Sequence, residues 1–213
     1  MLRVTFNSLP QVPLFSLFPG QVVAMDCTNP NGSKLVAQAL HPAQLCGPQP
    51  PASLPRGQQL SLLAACGPFT TSDSASLEPL EDFLAVLQKE KPSVAVLLGP
   101  FLDAKNSQVV DSDQNFDTQW HRLLSLVAER TAGLETEVVL VASCRDVHSL
   151  PIYPQPPLPV EDPATRKLLR PNLRLVSDPC TLTVSGVTVG ISSTDILFHL
   201  GKEEISFPPR SGP

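Results

Sequence analysis

Proline limits this chain more than any other residue type. Twenty-four of the 213 residues are proline, about twice the usual share. Proline interrupts helices and withholds an N–H from sheet ladders, so much of the chain is predicted to be turn, loop or linker. The composition is nevertheless too apolar for a disordered acidic segment. Hydrophobic residues make up 42% and charged residues only 16%, against about 25% charged in ordinary domains. No run approaches the roughly 18 uninterrupted apolar residues of a membrane-spanning helix. Polar residues and prolines break up the first twenty residues, so no secretory signal is expected there. The formal net charge of -5 makes the whole chain a poor clamp for nucleic acid by charge alone. Five cysteines (Cys27, Cys46, Cys66, Cys144 and Cys180) are odd in number, widely spaced and without a CxxC pair. That argues against a disulfide scaffold or a structural zinc site and for buried thiols in a reducing compartment.

Residues 1–46 read as short strands. Runs at 21–25 and 34–38 flank Asn29-Pro30-Asn31-Gly32-Ser33, a loop whose Asn-Gly tolerates positive φ and predicts a β-hairpin. One hairpin cannot bury a core, so this piece must lean on something else. Residues 47–58 are proline-rich without apolar period and read as a linker. From residue 60 the pattern changes. Apolar strands are predicted at 60–65, 94–98 and 138–142. Between them, Leu80, Phe83, Leu84 and Leu87, then Phe116, Trp120, Leu123, Leu124 and Val127, recur at helical spacing. Ser76 is the expected cap of the first helix, with Pro79 in its first turn, and the second helix is expected to stop near Gly133. The unit is β-α-β-α-β, which predicts an α/β fold with a parallel sheet covered on both faces. The proline-dense loop 151–159 reads as a rigid packed loop or, alternatively, a polyproline ligand. Residues 181–184 and 187–189 flank Ser185-Gly186 as a second hairpin. The tail 207–213 is expected to be unstructured, and there are no internal repeats.

In an open α/β sheet, ligands gather beyond the carboxyl ends of the strands. Three loops leave those ends: residues 66–73, 99–106 and 143–148. They resemble the plan of calcineurin-like metallophosphoesterases, whose active members use carboxylates, histidines and an asparagine there to hold two metal ions. The resemblance implies an Asp-x-His pair in the first loop, where this chain has Ala65-Cys66-Gly67-Pro68. It implies Gly-Asp-x-x-Asp in the second, where Gly99-Pro100-Phe101-Leu102-Asp103 puts proline at the bridging ligand. It implies Gly-Asn-His-Asp or Glu in the third, where Ser143-Cys144-Arg145-Asp146 keeps only the acid. Asp146-Val147-His148 spells Asp-x-His after the wrong strand and is read as a decoy. Arg145 would repel a dication and is expected to pair with Asp103 or Asp146. Metal chemistry at Asp73, Asp103, Asp146 and His148 is therefore not expected. There is no GxxxxGK[ST], GxGxxG or GxSxG. Cys66 and Cys144 read as structural cysteines. His41, His121 and His199 stand far apart, and His121 reads as a surface or packing histidine. Aromatics, at 5%, are too few for a base-stacking platform. No catalytic, metal-binding or cofactor-binding residue is assigned, and no cofactor is expected.

Five longer motifs carry a more specific resemblance. They are residues 16–23 (Ser16 to Val23), 66–73 (Cys66 to Asp73), 98–105 (Leu98 to Lys105), Arg145-Asp146-Val147-His148 with 153–157, and 193–201 (Ser193 to Gly201). Together they resemble the accessory B-subunit family of DNA polymerase alpha, over about residues 15–206. The resemblance implies a partial oligonucleotide-binding (OB) barrel at 1–46 and the Pro-rich linker at 47–58. It further implies an incomplete, metal-free phosphoesterase-like domain at 59–206 and a disordered tail at 207–213. It implies a nuclear, non-catalytic scaffold that holds the C-terminal domain of the DNA polymerase alpha catalytic subunit. Primase is then reached through the complex and DNA only indirectly or weakly, with no membrane involved. The partial barrel offers little more than Arg3 and Lys34 for phosphate. Both ends depart from the family pattern, as a truncated product would. Two alternatives stay open at this point: a metal-dependent phosphoesterase using Asp103, Asp146 and His148, and a non-functional truncation.

Overall fold

The computed structural model describes residues 3–5, 14–41 and 59–208. The expected linker at 47–58, Cys46 and residues 209–213 of the expected tail lie outside the described residues. The chain divides into two units, one of Met1–Gln49 with Asp195–Pro213 and one of Pro50–Thr194.

The first unit begins with strands β1 (Arg3–Thr5), β2 (Phe15–Leu17), β3 (Ala24–Thr28) and β4 (Lys34–His41). β3 and β4 pair antiparallel with a register shift at Asp26/Cys27, and β1 adds to β4 in parallel. The predicted hairpin is present, but its first strand starts at residue 24 and its second runs on to His41. Its loop closes because Asn31 Oδ1 accepts from the Ser33 N–H and Oγ, while Gly32 takes φ +75°, a conformation glycine adopts without a Cβ clash.

The second unit contains β5 (Leu62–Cys66), α1 (Glu78–Glu90), β6 (Val94–Leu98), α2 (Ser107–Val110), α3 (Phe116–Arg130), β7 (Glu137–Val141), α4 (Pro163–Leu168), β8 (Leu173–Val176), β9 (Cys180–Val184) and β10 (Val187–Ile191). Strands β5-β6-β7-β8 form one parallel sheet in sequential order. Right-handed crossovers that all step in the same direction place their helices on one face. On that face Leu80, Leu84, Leu87, Leu123, Leu124 and Val127 pack with Ala95, Leu97, Val138 and Leu140. The opposite face presents Val94, Val96, Val139 and Val141, and here the cover is the β9–β10 hairpin through Cys180, Leu182, Val184 and Ile191. The hairpin turns on Ser185 (φ 49°) and Gly186 (φ 81°), the paired positive φ of a tight two-residue turn.

The helix ends follow local chemistry. Asn115 caps α3 by accepting from the Thr118 N–H at 2.8 Å, and Asp162 caps α4 by accepting from the Thr165 N–H at 2.8 Å. Ser76 is not the cap expected of it. The cap position of α1 is Leu77, without a side-chain bond, and Pro79 lies in the first turn as expected. The second long helix, α3, ends at Arg130, and Gly133 (φ +81°) turns the chain just beyond. Loop 151–159 is packed only at Gln155 and Leu158, which are buried, while Ile152 and Tyr153 are exposed; the Trp120 indole N–H donates to the Pro159 carbonyl at 3.1 Å.

The boundary expected at 206 falls earlier. Helix α5 (Ile196–Lys202) and strand β11 (Ile205–Phe207) group with the first unit from Asp195 onward. β11 pairs antiparallel with β2, Phe207 stacks on Phe15 at 6.2 Å, and Ser16 Oγ donates to Glu204 at 2.6 Å. Phe207 is therefore part of a strand and not the start of an unstructured tail.

Candidate functional site

The three loops at the carboxyl ends of β5, β6 and β7 do meet, and they meet too closely to leave a ligand much room. A Cβ on Gly67 would lie 2.2 Å from the Pro100 carbonyl oxygen, and one on Gly99 would lie 2.5 Å from Asp146 Oδ2 and 2.8 Å from Ser143 Cβ. Only glycine permits that approach. The Gly67 N–H donates to Leu98 O at 2.8 Å and the Gly99 N–H to Val141 O at 3.0 Å, continuing the sheet ladder into the loops.

Loop side chains fill the space. Phe69, Phe101 and Leu102 are buried. Phe69 stacks on Phe101 at 5.5 Å, and Phe101 meets Trp120 of α3 at 5.7 Å. Asn106 is a residue whose role sequence reasoning missed. Its amide donates to Thr70 Oγ1 (3.1 Å), Thr71 O (3.0 Å) and Ser74 O (3.3 Å), tying the first loop to the second, while its Oδ1 accepts from the Gln108 N–H at 2.9 Å. The available signal was an asparagine placed to cap a helix, but α2 is only four residues long and has no readable period.

The two acids of the second and third loops, Asp103 and Asp146, are both buried and both engaged. Asp146 Oδ1 accepts from the N–H groups of Phe101 (2.5 Å) and Leu102 (2.9 Å), and its Oδ2 accepts from the Ser143 N–H (3.2 Å). Burial pushes its carboxyl up to about 6; the three N–H donors pull the other way and the charge of Asp103 adds to the rise. Asp103 is held by Arg145, whose guanidinium donates to Oδ2, while the Lys105 N–H donates to Oδ1 at 3.0 Å. Of the two partners expected for Arg145, Asp103 is the one it takes. The Ala104 N–H donates to Arg145 O (2.9 Å) and the Val147 N–H to Leu102 O (3.0 Å), closing the second loop onto the third.

The remaining sequence candidates do not join this pair. Asp73 is exposed, and its carboxyl is held below the usual range by the Thr71 hydroxyl and its own backbone N–H. His148 makes its contacts with α3, resting on Phe116 (6.1 Å) and Trp120 (6.3 Å) with Nε2 3.4 Å from Asp117. His121 Nδ1 bonds Thr165 Oγ1 at 2.6 Å, the packing role expected of it. His41 pairs with Asp26 across the hairpin at 3.0 Å, and His199 lies exposed beside Phe198. Cys66 and Cys144 depart from the expectation of buried thiols. Both are exposed, Cys66 as the last residue of β5 and Cys144 in the loop after β7; Cys66 Sγ approaches Gly99 O at 3.8 Å. Among the described residues, no group of three or more His, Cys, Asp or Glu is arranged to hold a metal ion. Among the same residues, no helix is long and apolar enough to cross a membrane.

Comparison with known proteins identifies the family. The family model for the B subunit of DNA polymerase alpha/epsilon matches residues 62–212. The chain is 43% identical over 204 residues to the DNA polymerase alpha B subunit of Bos taurus, an overlap covering 93% of this chain and 33% of that protein. It is 40% identical over 200 residues to the Mus musculus protein of the same name (92% and 33%) and 27% identical over 212 residues to the Saccharomyces cerevisiae one (88% and 29%). The chain thus spans about a third of the length of these curated relatives. With a family model that extends over most of its length, the chain belongs to the B-subunit family of DNA polymerases alpha and epsilon.

Proposed function

We propose that this chain is part of a non-catalytic accessory subunit of the DNA polymerase alpha–primase complex, working in the nucleus at the initiation of replication and in primer synthesis. In this reading residues 1–46 are an OB-type fragment and the parallel sheet is a calcineurin-like phosphoesterase sheet that no longer binds metal. Its task is to hold the C-terminal domain of the polymerase catalytic subunit, with primase reached through the complex and DNA touched indirectly. The relatives, each named as the B subunit of DNA polymerase alpha, support the assignment to that complex.

One observation carries the non-catalytic part. At the rim, Asp103 is neutralised by Arg145 and Asp146 spends its oxygens on three backbone N–H groups. Two-metal phosphoryl chemistry needs free carboxylate and imidazole ligands around both ions, and this donor set does not fit them. On this reading, Pro100, Cys66, Pro68, Cys144 and Arg145 stand where the remaining ligands would be expected.

The test is co-purification. This chain and a full-length counterpart are each mixed with the C-terminal domain of the catalytic subunit. Retention of the full-length protein is expected, with retention of this chain locating the contact within it; failure of both to bind contradicts the proposal. Manganese-dependent phosphodiesterase turnover abolished by Asp103→Ala would favour an enzyme instead.

A further inference from the structure

Asp178 sits between β8 and β9, outside the rim loops, and is fully buried at 0% exposure. Among the described residues no cation pairs with it. A buried carboxylate is tolerated only when hydrogen bonds satisfy it, and here they all come from one short segment. Oδ1 accepts from the Ser193 N–H at 2.9 Å; Oδ2 accepts from Ser193 Oγ at 2.6 Å and from Thr194 Oγ1 at 3.4 Å. The main chain of Asp178 is fixed independently. It exchanges two backbone bonds with Gln155, at 2.7 and 3.0 Å, and the Gln155 amide donates to the carbonyls of Leu150 and Ile152. The negative charge is also felt by Cys180, whose thiol is pushed up by burial first and by Asp178 second.

Ser193 and Thr194 are the last residues of the sheet-bearing unit, and Asp195 opens the segment that groups with the N-terminal strands. We infer that Asp178 is a latch that fastens the exit segment 192–194 to the proline-rich loop, so that opening it frees this segment while the parallel sheet stays folded. Asp178, Ser193 and Thr194 belong to neither apolar cluster of the sheet, although Leu158 of the same proline-rich loop packs into one of them. The segment thereby has a chemical release: a second negative charge placed on Ser193 opposes the bonds that hold it.

Backbone hydrogen exchange on the 213-residue chain tests this. Asp178→Asn is expected to speed exchange at Ser193 and Thr194 by about 10- to 100-fold, the range for losing hydrogen bonds to a charged group, while the backbone bond of the Gln155 N–H is kept. The amides of β6 and β7 should stay within about twofold of the unchanged chain. Ser193→Ala, which keeps the N–H bond and loses the hydroxyl, should give a smaller rise confined to the same residues, and it decides the matter if Asp178→Asn fails to fold. Equal acceleration of β6 and β7, or no change at Ser193 and Thr194 in a folded variant, overturns the latch.

Discussion

In the sheet-bearing unit, Leu80, Leu84, Leu97, Leu123, Leu124 and Leu140 are all within 1% of complete burial, whereas among the described residues of the other unit only Ala37 counts as a buried hydrophobic. That smaller unit instead exposes Val22, Leu197, Phe198 and Ile205. Both are built from short strands, but a parallel sheet covered on its two faces makes its own core, while a three-stranded sheet and a two-stranded ribbon do not. The contrast teaches where stability resides: residues 62–191 hold themselves, and the strands at the two ends of the chain contribute surface more than core.

The widest separation between the units should appear on truncating buried leucines. Leu124→Ala should destabilise the chain by about 2–5 kcal/mol, and Leu35→Ala in β4 by no more than ~1 kcal/mol, in denaturant unfolding. Similar losses at both sites would erase the contrast. Next in size is the rim. Gly99→Ala drives a Cβ into the Asp146 carboxylate and should cost about 1–3 kcal/mol by thermal melting, while Gly201→Ala, with open space around it and no positive φ, should cost nothing measurable.

A pH series sharpens the account of the rim further. The folded-state pKa of Asp146, about 6, lies above its ordinary 3.8. The folded chain therefore holds this proton more tightly than the unfolded one, and the stability it confers is present below about pH 4 and lost as pH rises through about 6. The stability advantage of the unchanged chain over Asp146→Asn should fall over that window and level off above it; an advantage that grows with pH would contradict the burial of this carboxyl. The smallest effect is local: Asn115→Ala removes the α3 cap and should cost about 1 kcal/mol in the same melts.

Much of the sheet unit was legible because its signals are local. The run at 94–98 is strand β6 without adjustment, α3 starts at the predicted Phe116, and Ser185-Gly186 is the predicted turn. β8, α2 and α4 escaped because elements of four to six residues carry no readable period, and β8 and α4 also stand beside prolines. The pairing of β11 with β2 escaped for a different reason. Residues 188 positions apart in sequence, such as Ser16 and Glu204, meet only through tertiary structure. At the rim, Pro100 and Arg145 were the residues that argued from sequence against a metal site. The donors to Asp146 are backbone N–H groups, which no side-chain pattern encodes, and nothing in the sequence around Asp178 signals its burial.

At the rim, side chains of the loops themselves fill the space between them, and the proposed reading leaves no place there for a catalytic metal. Manganese titrated into the 213-residue chain and followed by electron paramagnetic resonance tests it most directly. The account predicts that the free-ion signal grows in proportion to added metal, with no saturable site. Tight uptake of two ions per chain, lost together in Asp103→Ala and Asp146→Ala, would contradict it.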